Sequence, residues 1–260
     1  MPLVAAAVCP HPPLLVPEVA GAAARELDDL RAACDLAVRR LLATAPDAVV
    51  LLGVGPVTGP IQPPATGSLQ PWGVDLEVPL VSGQPDRGAV LPLSLTIGAW
   101  LLSRHAPLPT TTNDQATPGQ AAVPPTPTPA TQVTAMQVTA DAGPAEVAAL
   151  AAEVAAAGDR VALLVLGDGS ACRGQKAPGY DDQRALPYDE GVAAALAEAD
   201  VDALRDLDPS VSAQLKVAGR AAWQVLADAA RASGGGWRGG LLHESAPYGV
   251  AYFVASWERM

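Results

Sequence analysis

Three apolar runs punctuate the chain: Leu3 to Cys9, Ala48 to Leu52, and Arg160 to Leu166. Each runs into glycine, proline or both soon after it ends, which reads as a strand buried on both faces. Between the first two, the pattern turns helical from Gly21 to Ala45. Leu27, Leu30, Cys34, Ala37, Val38 and Leu41 fall on one stripe, with Arg25, Asp28, Asp29 and Arg39 largely off it. Pro46 and Asp47 end that helix. Strand, helix and strand with short connections predict a parallel arrangement with a right-handed crossover.

The first strand runs into Pro10, Pro12, Pro13 and Pro17, which predict a rigid extended loop. Residues 53–72 read as Gly/Pro-rich loop, Val74 to Val81 as an edge strand and Leu93 to Arg104 as a short helix. A strand is predicted over Gln132 to Ala140 and an Ala-rich helix over Ala145 to Ala157. A helical region follows from about Asp189 to Ala230. Gly234 to Gly240 reads as a turn, with closing strands at Leu241 to His243 and Val250 to Trp257. Residues 181–208 hold nine acids and two arginines, which reads as a solvated helical face. Residues 106–132 contain seven prolines and seven threonines. They read as an exposed, removable excursion from a single domain spanning 1–260, since neither flank looks complete alone.

Composition narrows the class. The 260 residues suffice for one large α/β domain, and the net charge is −11. An acidic chain without a basic stripe argues against nucleic-acid and anionic-membrane partners. Cys9, Cys34 and Cys172 form no disulfide framework or zinc spacing. No apolar run reaches the ~20 residues of a membrane span, and no basic residue precedes Arg25, so the expected compartment is the cytoplasm.

Ligands bind outside the carboxyl ends of strands in open α/β sheets. The loops after the three buried strands carry His11, Gly55 and Asp168, which are expected to open onto one edge. His11, held between prolines, reads either as a metal ligand or general base, or as a histidine bonded to a loop carbonyl. Asp168 and Ser170, in Gly167-Asp168-Gly169-Ser170, read either as a polar pocket floor that orients substrate or as a self-capped turn. Cys172 beside Arg173 is an activated thiol or a packed one. Cys9 and Cys34 read as core. His105 reads as a surface residue and His243-Glu244 as a solvent-facing pair. A hydrolase using Ser170 or Cys172 lacks a histidine partner.

These residues resemble the LigB-like superfamily of class III extradiol ring-cleavage dioxygenases and their Memo-like relatives. The resemblance rests on Cys9-Pro10-His11-Pro12-Pro13, the Gly167-Asp168-Gly169-Ser170 turn and the run Ala246 to Phe253. It spans the chain outside 106–132. It implies an α/β fold with a mixed, mostly parallel sheet flanked by helices, and an Fe(II) held by two histidines and a carboxylate. His11 matches the first metal ligand. Gly55 stands where the second histidine is expected, Ala171 where the acid/base histidine is expected, and Arg220 to Ala222 near the expected glutamate. The expectation is therefore weak Fe(II) binding and no ring cleavage. The remaining pocket, with Gly55, Arg173, Glu244 and Tyr248, would take a small aromatic or polar ligand. The readings held open are a dioxygenase-like enzyme and a metal-free binding or interaction protein on the same scaffold, with the hydrolase third; the expected partners are a small aromatic or polar ligand and a second copy of the chain in a homo-oligomer.

Overall fold

A computed structural model describes residues 3–81, 88–105 and 131–260. The excursion read over 106–132 lies outside the described residues up to position 130; Gln132 is already the first residue of a strand.

The chain order is β1 (Leu3–Cys9), α1 (Pro17–Ala20), α2 (Asp28–Ala43), β2 (Ala48–Val54), β3 (Gly59–Ile61), β4 (Ala65–Ser68), β5 (Glu77–Pro79), β6 (Ala89–Val90) and α3 (Leu93–Ser103). It continues with β7 (Gln132–Val138), α4 (Pro144–Ala155), β8 (Val161–Leu166), α5 (Ala185–Glu198), α6 (Val201–Arg205), α7 (Pro209–Gln214), α8 (Arg220–Ser233), β9 (Trp237–Ser245) and β10 (Tyr252–Arg259). Among the described residues the main sheet has seven strands in the order β3-β7-β2-β8-β1-β10-β9, and β5-β4-β6 form a second, small sheet.

The three apolar runs occupy the centre of the main sheet, as β2-β8-β1, all parallel. Alternate residues serve two cores. Val161, Leu163 and Val165 of β8 face the side built with α4, α5 and α8. Ala162, Leu164 and Leu166 face the side built with α2, α3 and the small sheet. A strand with a core on each side needs apolar residues throughout, which is why these runs do not alternate. β1 and β2 are parallel but not neighbours, because β8 lies between them.

The sheet is mixed, though less parallel than expected. Three pairings are parallel (β1/β8, β2/β8, β2/β7) and three antiparallel (β3/β7, β1/β10, β9/β10). The C-terminal hairpin accounts for two of the antiparallel pairs.

Local differences from the sequence reading have physical causes. Pro13 opens a 3-10 turn and Pro17 the one-turn α1, because proline without an N–H suits the first turn of a helix. Gly21 has φ +55°, and residues 21–27 wind as a 3-10 helix, so the regular helix begins only at Asp28. The segment read as loop over 53–72 hides β3 and β4; Pro60 is tolerated because β3 is an edge strand. The predicted edge strand over Val74 to Val81 shortens to β5. The helical region read from Asp189 to Ala230 divides into four helices, and two of the acids are caps: Asp200 accepts from the N–H groups of Asp202 and Ala203, and Asp208 from those of Ser210 and Val211. The predicted turn over Gly234 to Gly240 already contains the start of β9 at Trp237.

Candidate functional site

Parallel register fixes the site. Cys9 lies opposite Leu166, and Leu166 opposite Gly53, so β1, β8 and β2 release their chains at one edge. His11, Asp168 and Gly55 therefore leave the sheet together.

His11 and Asp168 are in direct contact. The His11 backbone N–H donates to Asp168 Oδ1 at 2.8 Å. The same oxygen lies 3.6 Å from His11 Nδ1, and the two side chains are 12% and 14% exposed. Nδ1 is buried without a hydrogen-bond partner among the described residues. Burial pushes the Asp168 carboxyl above its usual range, against the pull of the His11 charge and backbone N–H. Asp168 is held from behind, its carbonyl accepting from the N–H groups of Ala218 and Gly219.

The Gly-Asp-Gly-Ser turn does not cap itself. Asp168 serves His11, and Ser170 turns inward to Asp189 of α5. The Ser170 N–H donates to Asp189 Oδ1 at 2.9 Å and its hydroxyl to Oδ2 at 2.6 Å. Both residues are fully buried, so Ser170 anchors the turn and presents no hydroxyl to a substrate. Burial raises the Asp189 carboxyl, with the Ser170 hydrogen bonds and the Arg173 charge opposing it. Backbone bonds complete the stitching, from Gly169 N–H to the Ala251 carbonyl, Ala251 N–H to the Ser170 carbonyl, and Arg173 N–H to the Gly249 carbonyl. Gly249, at φ +78°, approaches Ala177 so closely that a side chain there would strike it.

Cys172 is a packed thiol. It is buried, its Sγ donates toward the carbonyls of Gly179 and Leu215, and burial raises its pKa. That leaves no activated nucleophile beside Arg173. Tyr248 donates its hydroxyl to Glu26 at 2.9 Å. Tyr252 is buried, and burial followed by the negative charge of Asp168 pushes its phenol up. Glu244 is exposed on β9, paired across the hairpin with Phe253.

The position expected to carry a second histidine is closed. A Cβ on Gly55 would lie 2.9 Å from the Gln137 Cβ, with the rest of that side chain in its path. Beside it, Ser94 of α3 donates to the Val54 carbonyl at 2.7 Å. Near Trp223, where a glutamate is expected, Arg220 is buried and donates to Gln224 Oε1, the Ala140 carbonyl and the Ala142 carbonyl. It ties α8 to the turn before α4.

The other histidines are engaged elsewhere. His105, read as a surface residue, is bonded through Nε2 to Asp35 of α2 at 2.7 Å, beside Arg104 on the same carboxylate. His243 Nε2 lies 2.8 Å from Ser245 Oγ, is only half-buried, and is held by burial below the ordinary histidine value. The edge thus offers one imidazole and one carboxylate, short of the three ligands of an iron facial triad. Among the described residues no three His, Cys, Asp or Glu side chains group as a metal site.

Asp189 escaped the sequence reading, although its signal was present: it shares a helical stripe with Ala185, Val192, Ala193 and Leu196, all buried. Glu26 and Tyr252 carried no comparable signal.

No protein-family model matches the chain, and no curated protein matches it. Among solved structures, the crystal structure of the uncharacterized protein JW3007 from Escherichia coli K12 is similar over 98% of this chain and 99% of that one. The identity is 14% and the TM-score 0.45. Among the described residues no helix is long and apolar enough to cross a membrane.

Proposed function

We propose that this chain is a LigB-like protein, on the scaffold of class III extradiol dioxygenases, that holds a small aromatic or polar ligand at the carboxyl edge of the sheet without relying on Fe(II) ring cleavage. The observation that carries the reading is the His11–Asp168 pair: a rigidly placed imidazole with a buried, unpartnered Nδ1 facing a carboxylate at 3.6 Å. Contacts of this kind are often long in a free protein and tighten when a ligand closes the site. His11 then meets the ligand, and Asp168 fixes the tautomer and orientation of the ring.

The departure from ring cleavage is supported by the donor set. The space after β2 holds Gln137, the place of the acid/base histidine holds Ala171, and His105 and His243 have their own partners. Loss of a general acid/base alone costs about 10²–10⁴ in rate.

The test combines calorimetric titration of anaerobic protein with Fe(II) and oxygen uptake on catechol. The expected result is no stoichiometric metal binding and no catechol-dependent uptake. Tight 1:1 Fe(II) binding with catechol-dependent oxygen consumption would restore the dioxygenase.

A further inference from the structure

The loop following the Gly-Asp-Gly-Ser turn and the connection between β9 and β10 form the two walls of a cleft of about 450 Å³. Arg173 and Lys176 line it from one side, Ala246, Pro247 and Tyr248 from the other. Among the described residues no carboxylate lines it, on a chain whose net charge is −11.

The guanidinium of Arg173 is set apart by its partial burial: Arg25, Arg39, Arg40 and Arg238, which also donate no side-chain hydrogen bond among the described residues, are all exposed. Arg31, Arg104, Arg160, Arg184, Arg205, Arg220 and Arg231 all donate side-chain hydrogen bonds. Arg173 is only 25% exposed, yet its side chain donates none among the described residues. Its nearest carboxylate oxygen, Asp189 Oδ2, is 3.7 Å away and already accepts the Ser170 hydroxyl at 2.6 Å. Asp189 therefore holds the guanidinium in place by charge and leaves its N–H donors unused. Lys176 has no carboxylate at ion-pair distance among the described residues. The acids of the same loop are turned to other partners: Asp181 accepts the Gly174 N–H, and Asp182 is bound by Arg184.

A partly buried guanidinium with free donors, a neighbouring ammonium and an acid-free lining are the elements of an oxyanion site. We propose that this cleft binds the anionic group of a small molecule, a carboxylate or a phosphate, with Arg173 as the directional donor and Lys176 as the supporting charge. This goes beyond the reading of the His11–Asp168 pair: neither residue lines this cleft, so the anion site stands or falls separately from it.

The test is calorimetric titration of the full chain at low salt with inorganic phosphate, benzoate and neutral phenol. Histidine resonances are followed by NMR in the same samples. Saturable 1:1 binding of phosphate or benzoate is expected, weakened about tenfold or more in Arg173→Gln and about threefold in Lys176→Gln. It should also weaken as salt screens the contact. The preferred anion separates phosphate from carboxylate chemistry. Circular dichroism of both variants confirms that they fold.

If neither anion saturates, or if Arg173→Gln binds as tightly as the parent, the anion site is overturned. Phenol shifting His11 while no anion binds would sink the anion site and leave the ligand edge standing. Anion binding abolished by Arg173→Gln, with His11 unmoved by every probe, would keep the anion site and sink the role given to His11.

Discussion

After β2 the carboxyl edge is sealed. Gln137 occupies the space above Gly55, and Ser94 closes over the last carbonyl of the strand. After β8 the same edge is polar and hydrogen-bonded: Asp168 meets His11, Ser170 meets Asp189, and Arg173 stands over a cleft. Strands in one register thus end in two kinds of loop. The sheet fixes where side chains gather, while the loop residues decide whether that place is filled or left available.

The largest expected effect lies in the polar half. Asp189→Ala removes the acceptor of two buried donors, the N–H and hydroxyl of Ser170. Each unsatisfied donor costs about 1–3 kcal/mol, so denaturant unfolding should show a loss of about 3 kcal/mol or more. A loss below about 1 kcal/mol would mean that the turn does not depend on this anchor.

Next comes alkaline pH. Burial raises the Tyr188 phenol on α5 to about 12, with the Ser212 hydroxyl pulling the other way. A folded pKa above the unfolded value of about 10 means stability fully present below pH 10 and lost as pH rises toward 12. The loss should approach about 2–3 kcal/mol, read from unfolding at stepped pH. Tyr188→Phe should flatten that part of the profile, leaving a residue from Tyr252.

In the sealed half, Gly55→His would place an imidazole where the dioxygenase pattern expects one. It collides with Gln137, and overpacking of this kind costs about 1–3 kcal/mol. Adding Gln137→Ala should recover part of the loss, a coupling that a double-mutant cycle measures. Additive effects would show that Gln137 does not fill the space. The smallest stability effect belongs to Arg173→Gln. Its guanidinium donates no hydrogen bond among the described residues, but its charge offsets the buried Asp189 carboxylate at 3.7 Å, so unfolding should change by about 1 kcal/mol.

Much of this arrangement was legible in the chain itself. A strand between two cores must be apolar at every position, so β1, β2 and β8 stand out, and their polarity places His11, Gly55 and Asp168 at one edge. What stayed hidden has physical causes. The short strands β3, β4 and β6 carry too few residues to rise above their Gly and Pro surroundings. Asp189 was masked by the acids around it, which cap helices or face solvent while it alone turns inward. Ser170 looked like a pocket residue because a Gly-Asp-Gly-Ser turn does not say which way its hydroxyl points. His105 pairs with Asp35, seventy residues away, a contact that no local pattern announces.

We propose that His11 and Asp168 form a ligand-facing pair that works without a metal. The most direct measurement is NMR of protein labelled in its histidine rings, titrated with Zn(II) and separately with neutral phenol. Stoichiometric Zn(II) should leave the His11 ring unmoved, while phenol shifts it and Asp168→Asn removes that shift. Saturation of His11 at one equivalent of Zn(II), together with His105 or His243, would contradict it.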